Sequence, residues 1–234
     1  MARSGINKPK PLLTIGSRTL LEHNVAAMLE SSIDRIYVSV RADAEPVRQC
    51  VTERCVRQAA AHGVPLEPLV EQEALGNIGA LGQVPGSVDL AIVCFADNLT
   101  ALRLSQVIEH HRRTNAALTL AAHMHTFVMP FGELLVDGTK VASYTEKPST
   151  RSLVSSAVTV ASPIAIEITR RAAPLGLADL TNRLLAGGES VQAFHHEAPW
   201  IDINDQSALQ AAETLIETER EAFSWFFDEY MIDA

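Results

Sequence analysis

The sequence predicts a single α/β domain, with a mixed, mostly parallel central sheet and helices on both faces, on three observations. First, strand-like and helix-like stretches alternate through the first ~120 residues, the pattern of a helix-covered parallel sheet. Second, the stretch DLAIVCFADNLT, residues 89–100, contains an almost unbroken apolar run from Leu90 to Ala96 with the β-branched pair Ile92 and Val93. That composition suits a strand buried on both faces. Third, residues 133–136, Asp137-Gly138 and residues 140–144 read as a β-hairpin, which adds antiparallel strands and makes the sheet mixed. With 234 residues, 47% of them hydrophobic and 20% charged, the chain can bury one substantial core, so residues 1–234 are taken as one domain.

Pro9-Lys10-Pro11 excludes regular helix and central strand, because two prolines remove donors and restrict their neighbours. A short apolar stretch, residues 12–15, follows. Thr19 with Glu22 three residues on forms a capping-box pattern and predicts a helix to about Ser31. Residues 36–40 read as a strand and residues 42–62 as mostly helix, ended by Gly63. Residues 65–70 are extended. Residues 71–82, EQEALGNIGALG, begin as loop and continue as helix. After the apolar strand come a helix at 105–114, with Leu104, Val107 and Ile108 as its stripe, and a strand at 117–122. Beyond the hairpin, residues 156–161 and 190–195 read as strands. Residues 164–172 and 177–186 read as helices, the second stopped by Gly187-Gly188. The pattern ends with WIDI at 200–203 and a long amphipathic helix at about 206–227.

Bulk properties narrow the function. The net charge is -9, which argues against nucleic acid as a partner but leaves room for a small anionic ligand held by local donors and a metal ion. No apolar run approaches the ~20 residues of a membrane span, and MARSGINKPKPLL lacks the apolar core of a signal peptide. The three cysteines have neither metal-ligand nor redox spacing, and reduced thiols fit a cytoplasmic protein.

The apolar strand stops at Asp97-Asn98. A carboxylate at the end of such a strand sits where open α/β sheets bind ligands, and Asp is equally at home capping a turn. Both readings stand on this stretch alone. Neighbouring histidines on a strand face opposite ways, so His195 and His196 cannot share an ion. His110, His111, His123 and His125 are expected as solvated loop or edge residues. Phe223, Trp225, Phe226, Phe227 and Tyr230 read as a packing or oligomer surface.

Five stretches occur in a telling order: PKPLL at 9–13, EQEALGNIGAL at 71–81, ADN at 96–98, EKP at 146–148 and WIDI at 200–203. Together they resemble the sugar-1-phosphate nucleotidyltransferases, over nearly the whole chain, and lean towards the mannose-1-phosphate guanylyltransferase-like branch. The resemblance implies a Rossmann-like nucleotidyltransferase fold. It also implies attack of a sugar 1-phosphate on the α-phosphate of a nucleoside triphosphate, giving a nucleotide sugar and pyrophosphate. Bringing polyanions together needs positioned cations. The resemblance accordingly makes Lys10 a phosphate contact, with Asp97 and Asp202 as Mg²⁺ carboxylates. It makes Gln72 and Gly76 part of the nucleotide site. Glu146 would bind sugar hydroxyls, Lys147 would bind the sugar phosphate, and Gly132 would leave room in the sugar pocket. Taken singly, each residue has a blander reading: Lys10 solvated, Glu146-Lys147 an exposed loop pair, Asp202 a turn residue, Gly76 a tight loop.

The sequence also departs from the family. Members begin with an apolar strand and a glycine-rich loop ending in Gly-Thr-Arg; here only MARSGINK precedes Pro9, so the fold is expected without its first strand. Ala96, Asn77, Ser155, Ala157 and Asn204 stand where the family has other residues, glycine in the cases of Ala96, Ala157 and Asn204. Two expectations follow. Either the chain begins downstream of a natural start and belongs to an active enzyme, or it is a degenerate homologue that binds or regulates. The partner expectation includes a homo-oligomer or pairing with an active homologue.

Overall fold

The computed structural model describes residues 8–226. Lys10–Leu12 form one 3₁₀ turn, and β1 (Thr14–Ile15) and β2 (Arg18–Thr19) make a small hairpin about Gly16, whose φ of 62° needs a glycine. Thr19 then caps α1 (Leu20–Leu29) through the full reciprocal capping box with Glu22. β3 (Ile36–Arg41) is followed by a helical stretch in three parts: α2 (Glu45–Cys50), a π-helical turn over Val51–Cys55, and α3 (Val56–Ala61). Gly63, at φ 71°, ends it. β4 (Leu66–Glu71) returns parallel to β3.

The 71–82 segment is loop and then a 3₁₀ helix, Gly79–Gln83. β5 (Ala91–Cys94) and β6 (Asn98–Thr100) flank the ADN motif, α4 (Leu104–Thr114) follows, and β7 (Leu118–Val128) runs well past the expected end. The hairpin forms as β8 (Glu133–Asp137) and β9 (Lys140–Thr145), and β10 (Ser149–Ala161) retraces β7. α5 (Pro163–Ala172), α6 (Leu177–Ala186), β11 (Val191–His196), β12 (Trp200–Asp202) and α7 (Gln206–Thr218) complete the order.

The main sheet has the order β11-β7-β10-β5 and is mixed: β11 is parallel to β7, whereas β10 is antiparallel to both its neighbours. The parallel pair β3–β4 forms a separate ladder. A groove of about 1050 Å³ opens between β3 and β5, walled by Val25 and Met28 of α1 and Ile108 of α4. This groove explains why β5 is only half-buried, although its sequence is that of a strand covered on both faces.

Three expectations change. The C-terminal helix stops at Thr218 rather than near residue 227, because the chain turns back to bury Phe223 and Trp225 against Ile15 and Leu20. Residues 227–234, including Phe227 and Tyr230, lie outside the described residues. His111 is not solvated: it is buried, with Nδ1 at 2.8 Å from the Thr119 hydroxyl and Nε2 at 2.9 Å from that of Ser162, tying α4 to the sheet. His123, carried on the longer β7, packs beside His196 and Trp200, with ring centroids at 5.5 and 5.9 Å.

Candidate active site

Main-chain pairing builds the corner that holds both candidate metal carboxylates. β12 runs antiparallel to β6, with Asp202 opposite Asn98. The Ile203 N–H donates to the Asp97 carbonyl at 2.9 Å, so Asp97 and Asp202 meet although 104 positions separate them in the sequence. The Asn98 amide donates to Asp97 Oδ1 at 3.0 Å, and the Asn24 amide of α1 donates to the Asn98 carbonyl at 2.9 Å, fixing the turn after β5.

Lys10 reaches this corner from the 3₁₀ turn. Its ammonium lies 3.3 Å from Asp97 Oδ2 and donates to the Asn204 side-chain carbonyl; the Asn204 amide donates to Asp202 Oδ2. Lys10, Asp97, Asp202 and Asn204 are therefore one connected network. Desolvation, and after it the neighbouring Asp97 charge, pushes the Asp202 carboxyl above the ordinary carboxylate range. A divalent cation between two such acids would relieve that repulsion, and Mg²⁺ commonly binds through one or two carboxylates plus substrate phosphates. The donor set fits such an ion, although the described residues contain no cluster of three or more His, Cys, Asp or Glu that would hold a metal on its own.

The other candidate residues sit elsewhere. Asp97 and Gly76 both line the groove between β3 and β5. Gly76 is at φ +82°, and a Cβ there would lie 2.3 Å from the Leu175 carbonyl oxygen, so this glycine serves close packing of the loop on the segment before α6. Gln72 is exposed. Gly132, Glu146 and Lys147 belong to the β8–β9 arm; both strands are exposed at every position. A Cβ on Gly132 would meet the Tyr144 hydroxyl at 2.1 Å, so that space holds the tyrosine ring. The Tyr144 hydroxyl in turn donates to Glu146 at 2.7 Å.

Sequence reasoning missed the part played by the asparagines. Asn204 bridges Lys10 to Asp202, and Asn77 accepts the Leu177 N–H at 2.8 Å at the start of α6. The available signal was their placement, each standing one residue after a named motif or inside it. Ala157 takes φ 62° at the register shift of β10, between residues 155 and 159, where its carbonyl accepts the Phe95 N–H at 3.1 Å. That conformation accounts for the glycine expected at this position.

The profile of the nucleotidyl transferase family matches residues 5–219. The chain belongs to this family. Within it, the relatives point to the sugar-1-phosphate nucleotidyltransferases. A Sulfolobus acidocaldarius protein carrying the name mannose-1-phosphate guanyltransferase is 24% identical over 204 residues, 85% of this chain and 54% of that protein. A Synechocystis UTP–glucose-1-phosphate uridylyltransferase is 24% identical over 216 residues, 83% of this chain and 54% of that protein. The chain thus spans about half the length of these curated relatives. Among solved structures, HddC from Yersinia pseudotuberculosis superimposes with a TM-score of 0.66 at 20% identity, covering 89% of this chain and 90% of that one. Its complex with GMP-PN matches equally well, at 19% identity. These likenesses establish the nucleotidyltransferase fold. No helix among the described residues is long and apolar enough to cross a membrane.

Proposed function

We propose that this nucleotidyltransferase transfers a nucleotidyl group from a nucleoside triphosphate to a sugar 1-phosphate, releasing pyrophosphate, with Mg²⁺ held by Asp97 and Asp202. The observation that carries this reading is the network joining Lys10, Asp97, Asp202 and Asn204 at one corner of the fold. Bound Mg²⁺ would supply charge neutralisation for the phosphates of an in-line displacement.

The chain's own residues do the rest. Lys10, now paired with Asp97, is free to exchange that carboxylate for a phosphate oxygen, because an exposed ion pair of this kind costs little to open. Asn204 orients the Asp202 carboxylate through its amide. In the same reading Gln72 and Gly76 take the nucleotide, while Gly132, Glu146 and Lys147 take the sugar phosphate. A cytoplasmic location completes the proposal.

Two observations favour a second reading, a non-catalytic binding or regulatory partner of an active homologue. Ala157 occupies a backbone conformation that favours glycine, and Tyr144 fills the space beside Gly132. One experiment separates the two readings. Purified protein is incubated with Mg²⁺, each nucleoside triphosphate and a panel of hexose 1-phosphates, and pyrophosphate is measured against an Asp97→Ala control. Release above the control supports the enzyme; none with any combination leaves the second reading.

A further inference from the structure

The side-chain amide of Asn204 has only one way to face. Lys10 offers N–H donors and no acceptor, and the ionised Asp202 offers acceptors and no donor. Asn204 stands between them, with its carbonyl on the Lys10 ammonium and its amide on Asp202 Oδ2. A flipped amide would set NH₂ against the ammonium and oxygen against the carboxylate, so both neighbours fix the same orientation. The backbone is pinned as well. On one side the Ile203 N–H donates to the Asp97 carbonyl at 2.9 Å. On the other, Asp205 caps α7 and accepts the Ala208 N–H at 2.9 Å. The Asn204 carbonyl oxygen is therefore aimed at one point beside two carboxylates. The cation at that point is the Lys10 ammonium, which Asp97 Oδ2 faces from 3.3 Å. Carboxylate and amide oxygens are also the donors that hard divalent cations take. Asn204 is exposed, so an ion can reach its oxygen with waters still attached. A neutral amide adds that oxygen without placing a third negative charge beside Asp97 and Asp202.

We propose that Asn204 is a third oxygen donor of the divalent-cation seat, and that it passes from Lys10 to the ion when the seat is loaded. The inference rests on the reading that Asp97 and Asp202 hold Mg²⁺, and it adds both a residue and a coupling to that reading. Lys10 gives up Asp97 and Asn204 together, because one oxygen-lined point does not hold an ammonium and a divalent ion at once. Released from both, the Lys10 ammonium is free to take a phosphate oxygen. Loading the seat and readying Lys10 for phosphate are thus one event, and Asn204 couples them.

Mn²⁺ binding to the full chain, followed by electron paramagnetic resonance without nucleotide, tests the donor. Asn204→Ala is expected to weaken Mn²⁺ binding by about ten-fold or more. Asn204→Asp keeps an oxygen but cannot donate to Asp202, and it is expected to bind at least as tightly as the unsubstituted chain. Undiminished binding in Asn204→Ala overturns the proposal. So does an Asn204→Asp variant as weak as Asn204→Ala, which would mean that the amide acts only by orienting Asp202. Labelling of Lys10 by an amine-reactive reagent, read by mass spectrometry of its peptide, tests the exchange. Saturating Mn²⁺ is expected to raise that labelling several-fold, and no rise overturns the coupling. The two levels of the argument fail differently. No Mn²⁺ binding, or binding that Asp97→Ala leaves intact, overturns the metal reading and this inference with it. Binding lost in Asp97→Ala and unchanged in Asn204→Ala overturns this inference alone.

Discussion

The corner built from residues 96–98 and 200–203 and the arm carrying Gly132, Glu146 and Lys147 were announced by sequence motifs of similar clarity, yet different forces hold them. At the corner, β6 and β12 pair across about a hundred residues, and side chains from α1, the 3₁₀ turn and the loop before α7 converge on the pairing. In the arm, β8 pairs with β9 and with no other strand among the described residues, and the apolar side chains along it remain in water, with Phe131 72% and Leu135 64% exposed. A lone hairpin is marginally stable. Residues in the arm can therefore bind, but binding has to order them, whereas residues in the corner are ordered before any ligand arrives. The difference lies in long-range pairing, which a local motif does not encode.

The largest expected effect tests the corner. Asp97→Asn should lower the rate of pyrophosphate release by roughly 10³-fold, the scale for losing a principal electrostatic contact in a transfer site, with little change in Tm. A fall below ten-fold would mean that the pre-formed corner is not where transfer takes place. Stability comes next. Leu99, 1% exposed beside Asn98, should cost about 3 kcal/mol when changed to Ala. Leu135→Ala in the arm should stay within about 0.5 kcal/mol. Urea unfolding measures both, and comparable losses would show that the arm is packed in solution.

Much of this was legible in the sequence, for physical reasons that can be named. The capping box at Thr19 and Glu22, the turn at Asp137-Gly138 and the stop at Gly187-Gly188 are local, and each formed where it was read. The meeting of Asp97 and Asp202 came from family order rather than from any local signal, and the structure supplies its cause in the β6–β12 ladder. What stayed hidden depended on distant partners. The fold-back that ends α7 at Thr218 is driven by burial of Phe223 and Trp225, and the burial of His111 requires Thr119 and Ser162. The half-buried state of β5 depends on the edge facing it, and an apolar run reports only that a strand is suited to cover, not whether cover is present.

A smaller effect probes the arm's share in binding. Glu146→Gln and Lys147→Ala should each raise KM for the sugar 1-phosphate by about ten-fold while kcat changes less, because a mobile contact contributes to ground-state binding. A loss in kcat matching that of Asp97→Asn would show that the arm closes onto the corner during transfer. Between the two regions lies Ala157, at φ 62° in the strand that runs from the arm into the sheet. Ala157→Gly removes the clash of a Cβ in left-handed backbone and should stabilise the fold by about 1 kcal/mol, read as a higher urea midpoint. No gain would mean that the bulge relaxes in solution.

The smallest effect separates function from stability within the corner itself. The Asp202 carboxyl is pushed above its ordinary range, by desolvation first and by Asp97 second. An acid whose folded pKa is raised binds its proton more tightly in the folded chain than in the unfolded one. Its contribution to stability is therefore complete below the unfolded pKa and is lost as pH rises through the folded value. At neutral pH the ionised Asp202 is a small net cost, which Asp202→Asn removes while keeping an oxygen to accept from Asn204. Because the carboxyl is only partly buried, the gain should be only about 0.5 kcal/mol, seen as a Tm higher by roughly 1–2 °C at pH 7 and vanishing near pH 3, while pyrophosphate release is lost. A lower Tm at pH 7 would show that Lys10 already offsets the repulsion and that the corner is settled without a metal ion. A higher Tm with lost activity would mark Asp202 as a residue kept for what it binds, at the expense of the fold that holds it.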